Sequence, residues 1–443
     1  MEVAKGIMSP DKLSKQIEEL VGIAFSEIHK TSKFICGETP IPATGKVFGT
    51  PELESAVRAS LDFWLTAGPY TEEFENRLAR IVGMRHALMV NSGSSANLLA
   101  ISSLTSPKHG ENALKPGDEV ITVAAGFPTT VTPILQNGLI PVYVDIDLST
   151  YVANDDAIEA AISPKTRAII MAHTLGNPFN LDHVTKIAEK HNLWVIEDSC
   201  DALGGTYKNK NLGSFGDLST LSFYPAHHIT TGEGGAVLVK KAKHKPIVES
   251  FRDWGRDCWC PPGVENTCLK RYEHSLGQMP TGYDHKYTYS HLGYNLKSGD
   301  IQASIGLAQL DRLPVFIEAR KSNWKYLFRE LSELSDLLIL PNASADSDPS
   351  WFGFAITVKS SSKKTRNEIV SELNSRKIGT RLLFGGNLIR QPAFLGKPMR
   401  IVGNLDNTDL VTENTFWIGV WPGLSRSMLE YVVTSLKEIL KNK

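Results

Sequence analysis

Short apolar runs alternate with stretches of helical periodicity between Gly49 and Gly299. This alternation is typical of a mostly parallel sheet covered by helices. The runs predict the strands Ala87–Val90, Glu119–Val123, Ile140–Val144, Ala168–Ala172, Trp194–Glu197, Leu218–Ser222 and Gly235–Val239. The periodic stretches predict the helices Ala96–Ser103, Thr129–Asn137, Leu181–His191 and Lys245–Trp254. Because ligands of such sheets bind beyond the carboxyl ends of the strands, the residues that follow each strand are the candidates for function.

Two further regions flank the alternating pattern. Apolar residues at helical spacing from Pro10 to Lys33 predict an amphipathic leading helix, and Gly37–Gly49 predicts an irregular connector. After Gly299 the pattern predicts further helices and one strand: helices Asp300–Arg312, Val315–Leu334, Thr365–Arg376 and Ser427–Lys441, and strand Phe352–Val358. We therefore expect an N-terminal helical extension (1–48), a large domain (49–310) and a small C-terminal α+β domain (311–443).

The composition excludes several classes of protein. The chain has 443 residues, enough for two lobes with a large core. Its formal net charge of -1 gives no electrostatic reason to expect binding to nucleic acid or to an anionic membrane. Without a secretory signal or an apolar run of about 18 residues, it is expected to be a cytoplasmic protein. Its five cysteines are too few for a disulfide-rich secreted scaffold.

The segment from Ser222 to Gly235, SFYPAHHITTGEGG, places two histidines between a predicted strand and a glycine-rich loop. An imidazole can take up and return a proton near neutral pH, so a histidine at this position is a candidate acid or base. We interpret His227 as the candidate catalytic residue and His228 as a structural residue of the turn.

This segment resembles the cofactor-lysine segment of the DegT/DnrJ/StrS sugar aminotransferases, which bind pyridoxal phosphate (PLP). His227 stands where that family has its lysine, and no lysine occurs from Asn211 to Val239. A lysine amine forms a covalent imine with PLP, whereas an imidazole cannot. The resemblance implies the fold of the aspartate aminotransferases (fold type I), in which residues 49–310 bind PLP or pyridoxamine phosphate (PMP). The substitution implies a noncovalently held cofactor.

Several motifs match residues with which the family holds its cofactor. Asn91–Asn97 joins a strand to a helix and offers a phosphate cradle, for which the resemblance implies Ser94 and Ser95, with Ser222 adding a hydroxyl. In ITVAAGFPTT, Phe127 corresponds to the aromatic residue that stacks on the cofactor ring.

Acidic residues and an asparagine complete this set. In WVIEDSCD, Asp198 corresponds to the carboxylate that pairs with the pyridine nitrogen. Asp201 departs from the Gln or His that is common at its position, and we include it as a cofactor contact. In the GYN segment, Asn295 corresponds to a residue that reaches the phosphate of the other subunit, which implies a homodimer with shared sites.

Four cysteines, Cys200, Cys258, Cys260 and Cys268, have the spacing C-x57-C-x-C-x7-C. Thiolate ligands suit either zinc or an iron–sulfur cluster, and idle thiols are the remaining alternative. The spacing resembles that of the iron–sulfur branch of the family, the CDP-4-keto-6-deoxyglucose 3-dehydrases, and implies a [2Fe-2S] cluster on these cysteines.

The branch resemblance implies an enzyme that uses PMP to remove the C3 hydroxyl from a CDP-4-keto-6-deoxyhexose. The cluster would pass single electrons from an NADH-dependent flavin/iron–sulfur reductase, and the product would be a 3,6-dideoxysugar of the kind found in lipopolysaccharide. Two alternatives stay open: an aminotransferase or glutamate-recycled GDP-4-keto-6-deoxymannose 3-dehydratase without a cluster, and a non-catalytic metal-binding regulator. Retention of Asp198, Phe127 and the Ser94–Ser95 turn disfavours the regulator.

Overall fold

The computed structural model describes residues 9–30, 33–260 and 263–441. The α-helices in these ranges are α1 (Pro10–Ile28), α2 (Thr50–Asp62), α3 (Pro69–Val82), α4 (Gly93–Leu104), α5 (Pro128–Gln136), α6 (Asp155–Ala160), α7 (Leu181–His191), α8 (Lys245–Arg252), α9 (Asp300–Leu331), α10 (Arg366–Ser375), α11 (Asp406–Asn414) and α12 (Arg426–Lys441). The strands of the first half are β1 (His86–Val90), β2 (Glu119–Val123), β3 (Ile140–Val144), β4 (Thr166–Ala172), β5 (Trp194–Asp198), β6 (Thr206–Tyr207) and β7 (Lys210–Asn211). Those of the second half are β8 (Leu218–Ser222), β9 (Gly235–Val239), β10 (Leu338–Ile339), β11 (Ser347–Asp348), β12 (Gly353–Val358), β13 (Arg381–Leu382), β14 (Arg400–Ile401) and β15 (Thr415–Gly419).

The central sheet has eight strands in the order β1-β9-β8-β5-β4-β2-β3-β14. Within the described ranges, β9 alone runs antiparallel to its neighbours β1 and β8, and the other pairs are parallel. The predicted α/β architecture with a mostly parallel sheet is therefore confirmed.

Helices cover both faces of this sheet, and successive strand residues enter opposite core clusters. Ile121 and Val142 pack into one cluster, whereas Val120 and Tyr143 pack into the other, with Leu99 of α4. Strands that are buried on both faces need apolar side chains at nearly every position. This requirement explains why the continuous apolar runs were strong strand signals.

The helix α9 runs for 32 residues through Pro314, so the prediction of two separate helices was wrong. Proline lacks the N–H that a helix interior needs, which usually ends or kinks a helix. Here Leu313 and Phe316, on either side of Pro314, are buried in one cluster with residues of α3, and this packing favours continuation. The expected domain boundary at residue 310 falls inside this helix, and the division into domains stays a prediction.

The C-terminal part forms a smaller antiparallel sheet in the order β10-β12-β15-β13. It also contributes β14 to the edge of the central sheet, where Arg400 is in register with Val142 of β3. A strand of the C-terminal part thus belongs to the central sheet, and the helix α9 runs through both parts of the chain.

The helices α1 and α8 end earlier than predicted. The leading helix α1 ends at Ile28 rather than Lys33. Residues 31–32 of the predicted helix and residues 1–8 of the expected extension lie outside the described ranges. The helix α8 ends at Arg252 because Trp254 adopts a positive φ of 65°, which an α-helix does not accommodate. No described helix has the length and apolar character needed to cross a membrane. Cytoplasmic location stays a prediction.

Candidate active site

Asp198 ends β5 at the carboxyl edge of the central sheet and is 5% exposed. Its Oδ2 atom accepts hydrogen bonds from Asn97 Nδ2 at 2.8 Å and from Thr130 Oγ1 at 2.6 Å. Its Oδ1 atom accepts one longer bond, from the backbone N–H of Cys200 at 3.2 Å. These contacts fix the carboxylate and leave acceptor capacity on Oδ1 for a ligand N–H.

The predicted phosphate cradle is the turn from β1 into α4. Ser92 caps the helix by accepting the N–H of Ser95 at 3.1 Å, and the Ser94 hydroxyl donates to Thr129 Oγ1 at 2.9 Å. A Cβ atom on Gly93 would lie 2.5 Å from the Cβ of Ser222, so only glycine lets these elements meet. The structure therefore places Ser94, Ser95 and Ser222 around one helix N-terminus, whose free N–H groups suit an anion.

Phe127 precedes α5 and is 50% exposed. Its ring meets Phe384 edge to face, with the centroids 6.2 Å apart. The ring is thus held at one edge and is not enclosed in the core. An exposed aromatic face is what stacking on a cofactor ring requires.

His227 lies in the loop after β8 and faces Asp201, with 3.4 Å between its Nδ1 atom and Asp201 Oδ1. The separation is within ion-pair range, but Nδ1 lacks an aligned hydrogen-bond partner among the described residues. The His227 ring packs against the Phe352 ring, with the centroids 5.1 Å apart. Asp201 and Phe352 therefore orient His227, and Nε2 is the ring nitrogen that does not face Asp201.

Burial raises the pKa of the Asp201 carboxyl above its ordinary value of 3.8, and His227 and Arg320 oppose this shift. The cause is desolvation, which disfavours the charged form of an acid. A carboxyl kept in such a place and paired with an imidazole is more typical of a functional site than of a surface ion pair.

His228 is buried, unlike its neighbour, and its Nε2 atom lies 2.9 Å from the Ser350 hydroxyl. Burial lowers the pKa of His228 well below its ordinary value, with the charge of Arg320 adding to the effect. The imidazole is therefore neutral. These contacts agree with our interpretation of His228 as a structural residue.

Asn295 is exposed at the start of a segment that leads into α9. Its Oδ1 atom accepts a hydrogen bond from Lys297 Nζ at 3.0 Å, and the same ammonium lies 3.6 Å from the centroid of the Trp254 ring. The cross-subunit role of Asn295 stays a prediction.

The predicted cysteine ligands occupy two places. Cys200 lies at the carboxyl edge of the central sheet, where its Sγ atom would be 3.1 Å from a Cβ atom on Gly93. Burial, and after it the charge of Asp198, raises the pKa of the Cys200 thiol well above its ordinary value of 9.0. Cys258, Cys260 and Cys268 lie together in the loop between α8 and α9, and Pro261 and Pro262 of this loop lie outside the described residues. No three of the four thiols lie within 4.8 Å of one another in the described part of the chain.

The loop thiols have distinct partners. Cys258 and Cys260 are in side-chain contact, and Thr267 Oγ1 donates to Cys260 Sγ at 3.1 Å. Although burial opposes it, the hydrogen bonds from Thr267 lower the pKa of Cys260 below its ordinary value. Cys268 Sγ lies 3.3 Å from Nε2 of His285 and groups with His274 and His285 within 4.8 Å. The sequence analysis did not identify these two histidines as neighbours of the thiols.

Sequence reasoning also missed the residues that hold Asp198. Asn97 and Thr130 are both within motifs that we had singled out, and Thr220 Oγ1 on β8 donates to Asn97 Oδ1 at 2.7 Å. Their polar side chains in otherwise apolar elements were the available signal.

The DegT/DnrJ/EryC1/StrS aminotransferase family model matches residues 49–437 of this sequence. The chain belongs to this family. As a member of the DegT/DnrJ/EryC1/StrS family it is an enzyme with the aspartate aminotransferase type of fold, and PLP or PMP is the family's cofactor.

Two relatives match nearly the whole chain. The lipopolysaccharide biosynthesis protein RfbH of Salmonella typhimurium is 57% identical over 97% of this chain and 99% of its own length. A dTDP-4-dehydro-2,6-dideoxy-D-glucose 3-dehydratase of Saccharopolyspora spinosa is 55% identical over 92% of this chain and 88% of its own length. These relatives place the chain among the sugar-nucleotide dehydratases and aminotransferases of the family.

A solved structure gives the same result for the fold. The GDP-4-keto-6-deoxy-D-mannose-3-dehydratase of E. coli with bound hydrated PLP superposes with a TM-score of 0.80 at 28% identity, over 90% of this chain and 99% of that chain.

Proposed function

We propose that this protein is a PMP-dependent 3-dehydratase of a nucleotide-linked 4-keto-6-deoxy sugar. The observation that carries the proposal is the pair His227–Asp201 at the position where the family's lysine would stand. An imidazole beside a carboxylate transfers protons but forms no imine with the cofactor.

The residues at the sheet edge fit such a cofactor. Asp198 offers Oδ1 to a protonated pyridine nitrogen, and the α4 N-terminus with Ser94, Ser95 and Ser222 offers donors to a phosphate. The lack of space for a Cβ atom on Gly93 keeps this cradle close to the backbone. When bound, the cofactor supplies an amino group and a ring that accepts electrons.

His227 is the acid–base residue in this proposal. Asp201 faces Nδ1, which leaves Nε2 to remove a proton from the cofactor's 4′ carbon and to return one. A carboxylate in this place stabilises the imidazolium that forms when His227 accepts the proton. With the cofactor bound, this proton removal would allow loss of the C3 hydroxyl of the sugar, which would leave as water with the proton held by His227.

We further propose that Cys200, Cys258, Cys260 and Cys268 hold a [2Fe-2S] cluster. The donor set is suitable, because thiolates are the ordinary ligands of such clusters, and the Cys258–Cys260 contact already pairs two of them. Bound there, a cluster would supply single electrons for reduction of the dehydrated sugar. The electrons would come from an NADH-dependent flavin/iron–sulfur reductase, and the product would be a 3,6-dideoxy-4-keto sugar. Use of this sugar in lipopolysaccharide is supported by the relative RfbH, a lipopolysaccharide biosynthesis protein.

The substrate nucleotide and the assembly belong to the same proposal. CDP rests on the cysteine spacing alone, since the relatives whose names include a nucleotide are dehydratases of dTDP and GDP sugars. A homodimer is supported by the exposed surface beside Asn295, where Leu292 is 96% exposed.

A cluster-free dehydratase is the second candidate. The GDP-4-keto-6-deoxy-D-mannose 3-dehydratase of Escherichia coli O55:H7 is 31% identical over 87% of this chain and 96% of its own length. In that case glutamate would regenerate PMP and the cysteines would be idle or bind zinc.

The deciding experiment incubates anaerobically purified protein and PMP with the CDP, dTDP and GDP forms of the 4-keto-6-deoxyhexose. Mass spectrometry follows loss of the C3 hydroxyl, with His227→Asn as the control. We expect dehydration by the wild type and none by the variant, and equal turnover by both would refute the proposal. Iron content and visible absorbance separate the cluster form from the glutamate-recycled form.

A further inference from the structure

Arg320 of α9 is 1% exposed, and the catalytic scheme above gives it no role. Desolvation lowers the pKa of this guanidinium to about 10, with Asp201 opposing the shift, so it is charged near neutral pH. A fully buried charge is costly unless other groups compensate it. The groups that compensate Arg320 therefore indicate its purpose.

The guanidinium donates to backbone carbonyls of two separate segments. One terminal nitrogen donates to the oxygen of His227 at 3.0 Å, with Ala226 at 3.5 Å. The other donates to the oxygen of Trp351 at 3.2 Å, with Phe352 at 3.4 Å. Arg320 thus joins the loop that carries His227 to the segment that carries Phe352.

The second segment is itself constrained. Trp351 adopts a φ of 32°, which is unfavourable for a bulky residue, and its ring stacks on Trp324, with centroids 4.3 Å apart. Trp324 is one helical turn after Arg320, so both side chains of α9 hold the segment that contains Trp351. Backbone strain persists only where surrounding contacts over-determine it, and it concentrates at functional sites.

We propose that Arg320 is a positioning residue for proton transfer by His227. Its hydrogen bonds hold the His227 loop and the Phe352 ring in one arrangement, and its positive charge favours the ionised form of Asp201 beside His227. Arg320 needs no contact with the substrate or cofactor for this role. The inference rests on the proposed function of His227.

The test measures how fast deuterium at the 4′ carbon of bound PMP is replaced by solvent hydrogen, in holoenzyme supplied with CDP-4-keto-6-deoxyglucose. Arg320→Lys keeps a positive charge but loses the planar fork that spans two segments. Small displacements of a catalytic group cost up to about a hundredfold in rate, so we expect a loss of at least about tenfold at saturating PMP. The dissociation constant of PMP should change by less than about threefold, because the uniform binding contacts stay intact.

Arg366→Lys is the matched control. Arg366 is also buried and also donates to a backbone carbonyl, that of Thr415, at 3.0 Å. Its replacement should lower the melting temperature without changing the exchange rate per folded molecule. Equal exchange rates in Arg320→Lys and the wild type, or equal losses in the two variants, would overturn the inference.

A second variant covers failure of Arg320→Lys to fold. Phe352→Leu removes the ring contacts with His227 and with the Arg320 guanidinium, but it keeps Arg320 itself and the backbone carbonyls that Arg320 binds. We expect a loss of at least about fivefold in exchange. Wild-type exchange in this variant would contradict the positioning role. If the wild type itself shows no exchange while His227→Asn behaves identically, the proposed function fails, not the inference about Arg320.

Discussion

Replacement of Asp201 by asparagine separates the charge of this residue from its shape. The amide is isosteric with the carboxyl and its oxygen can still accept a hydrogen bond from the Nδ1–H of His227, so the ring orientation survives while the negative charge is lost. The side chains of His227 and Asp201 are only 15% and 13% exposed, so solvent screens their interaction weakly.

His227 and Asp201 lie within ion-pair range without an aligned hydrogen bond, so the net contribution of a hydrogen bond to a charged group, about 1.5–3 kcal/mol, is an upper range for this pair. The separation of 3.4 Å is longer than an ideal charge-assisted bond, which places the expected loss in the lower half of that range. Since 1.36 kcal/mol is a factor of ten in rate, Asp201→Asn should slow proton removal by roughly 10- to 50-fold. The assay is single-turnover dehydration at saturating PMP and substrate.

The same substitution has the opposite effect on stability. Because burial raises the pKa of Asp201, its ionisation costs more in the folded state than in the unfolded chain. This cost is absent below the ordinary pKa of 3.8, grows as the pH rises and is complete above the folded-state pKa. Asp201→Asn should therefore melt no lower than the wild type at neutral pH.

A control variant is available on the surface. Asp348→Asn removes an exposed carboxylate that pairs with Lys321, and it should change neither rate nor melting temperature measurably. Asp201→Asn turning over at the wild-type rate would refute the assignment of Asp201 as the partner of His227.

Further variants test the other parts of the site. Asp198→Asn should weaken PMP binding by about 10- to 100-fold, as measured by absorbance titration, since a charge-assisted contact to the pyridine nitrogen is lost; unchanged affinity would refute its role. Gly93→Ala should cost about 1–3 kcal/mol and loosen phosphate binding, because a Cβ atom would lie 2.5 Å from that of Ser222; inorganic phosphate competing equally with both proteins would contradict this. Cys260→Ser should remove iron and visible absorbance while deuterium exchange from PMP continues, and retained iron would exclude Cys260 as a ligand.

Much of the central sheet was predictable because its strands are buried on both faces. The strands β2, β3, β8 and β9 have the predicted bounds, since short β-rich runs between turns leave few alternatives. The short strand β14 was not predictable, because its two residues pair with β3 across more than 250 positions of sequence. The proline in α9 was misread because its local cost is visible in sequence and the compensating packing is not.

The candidate site likewise contains residues that could be predicted from the sequence and residues that could not. Asp198 and His227 stood in motifs with recognisable neighbours, so their place at one sheet edge could be anticipated. The role of Arg320 could not be anticipated, since this residue lies in the charged and polar run Glu318–Asn323, which is typical of a solvent-exposed helix face. The neighbours of the thiols, His274 and His285, depend on how a long loop folds back, and local sequence carries little information about that.

Borohydride reduction of the PLP-loaded holoenzyme, followed by mass spectrometry of the intact chain, tests the central claim most directly, because only the aldehyde of PLP can form a reducible imine with a lysine. The account predicts an unmodified chain for the wild type, because His227 cannot be linked to the cofactor, and a chain heavier by one reduced cofactor for His227→Lys. A covalently labelled lysine in the wild type would contradict it.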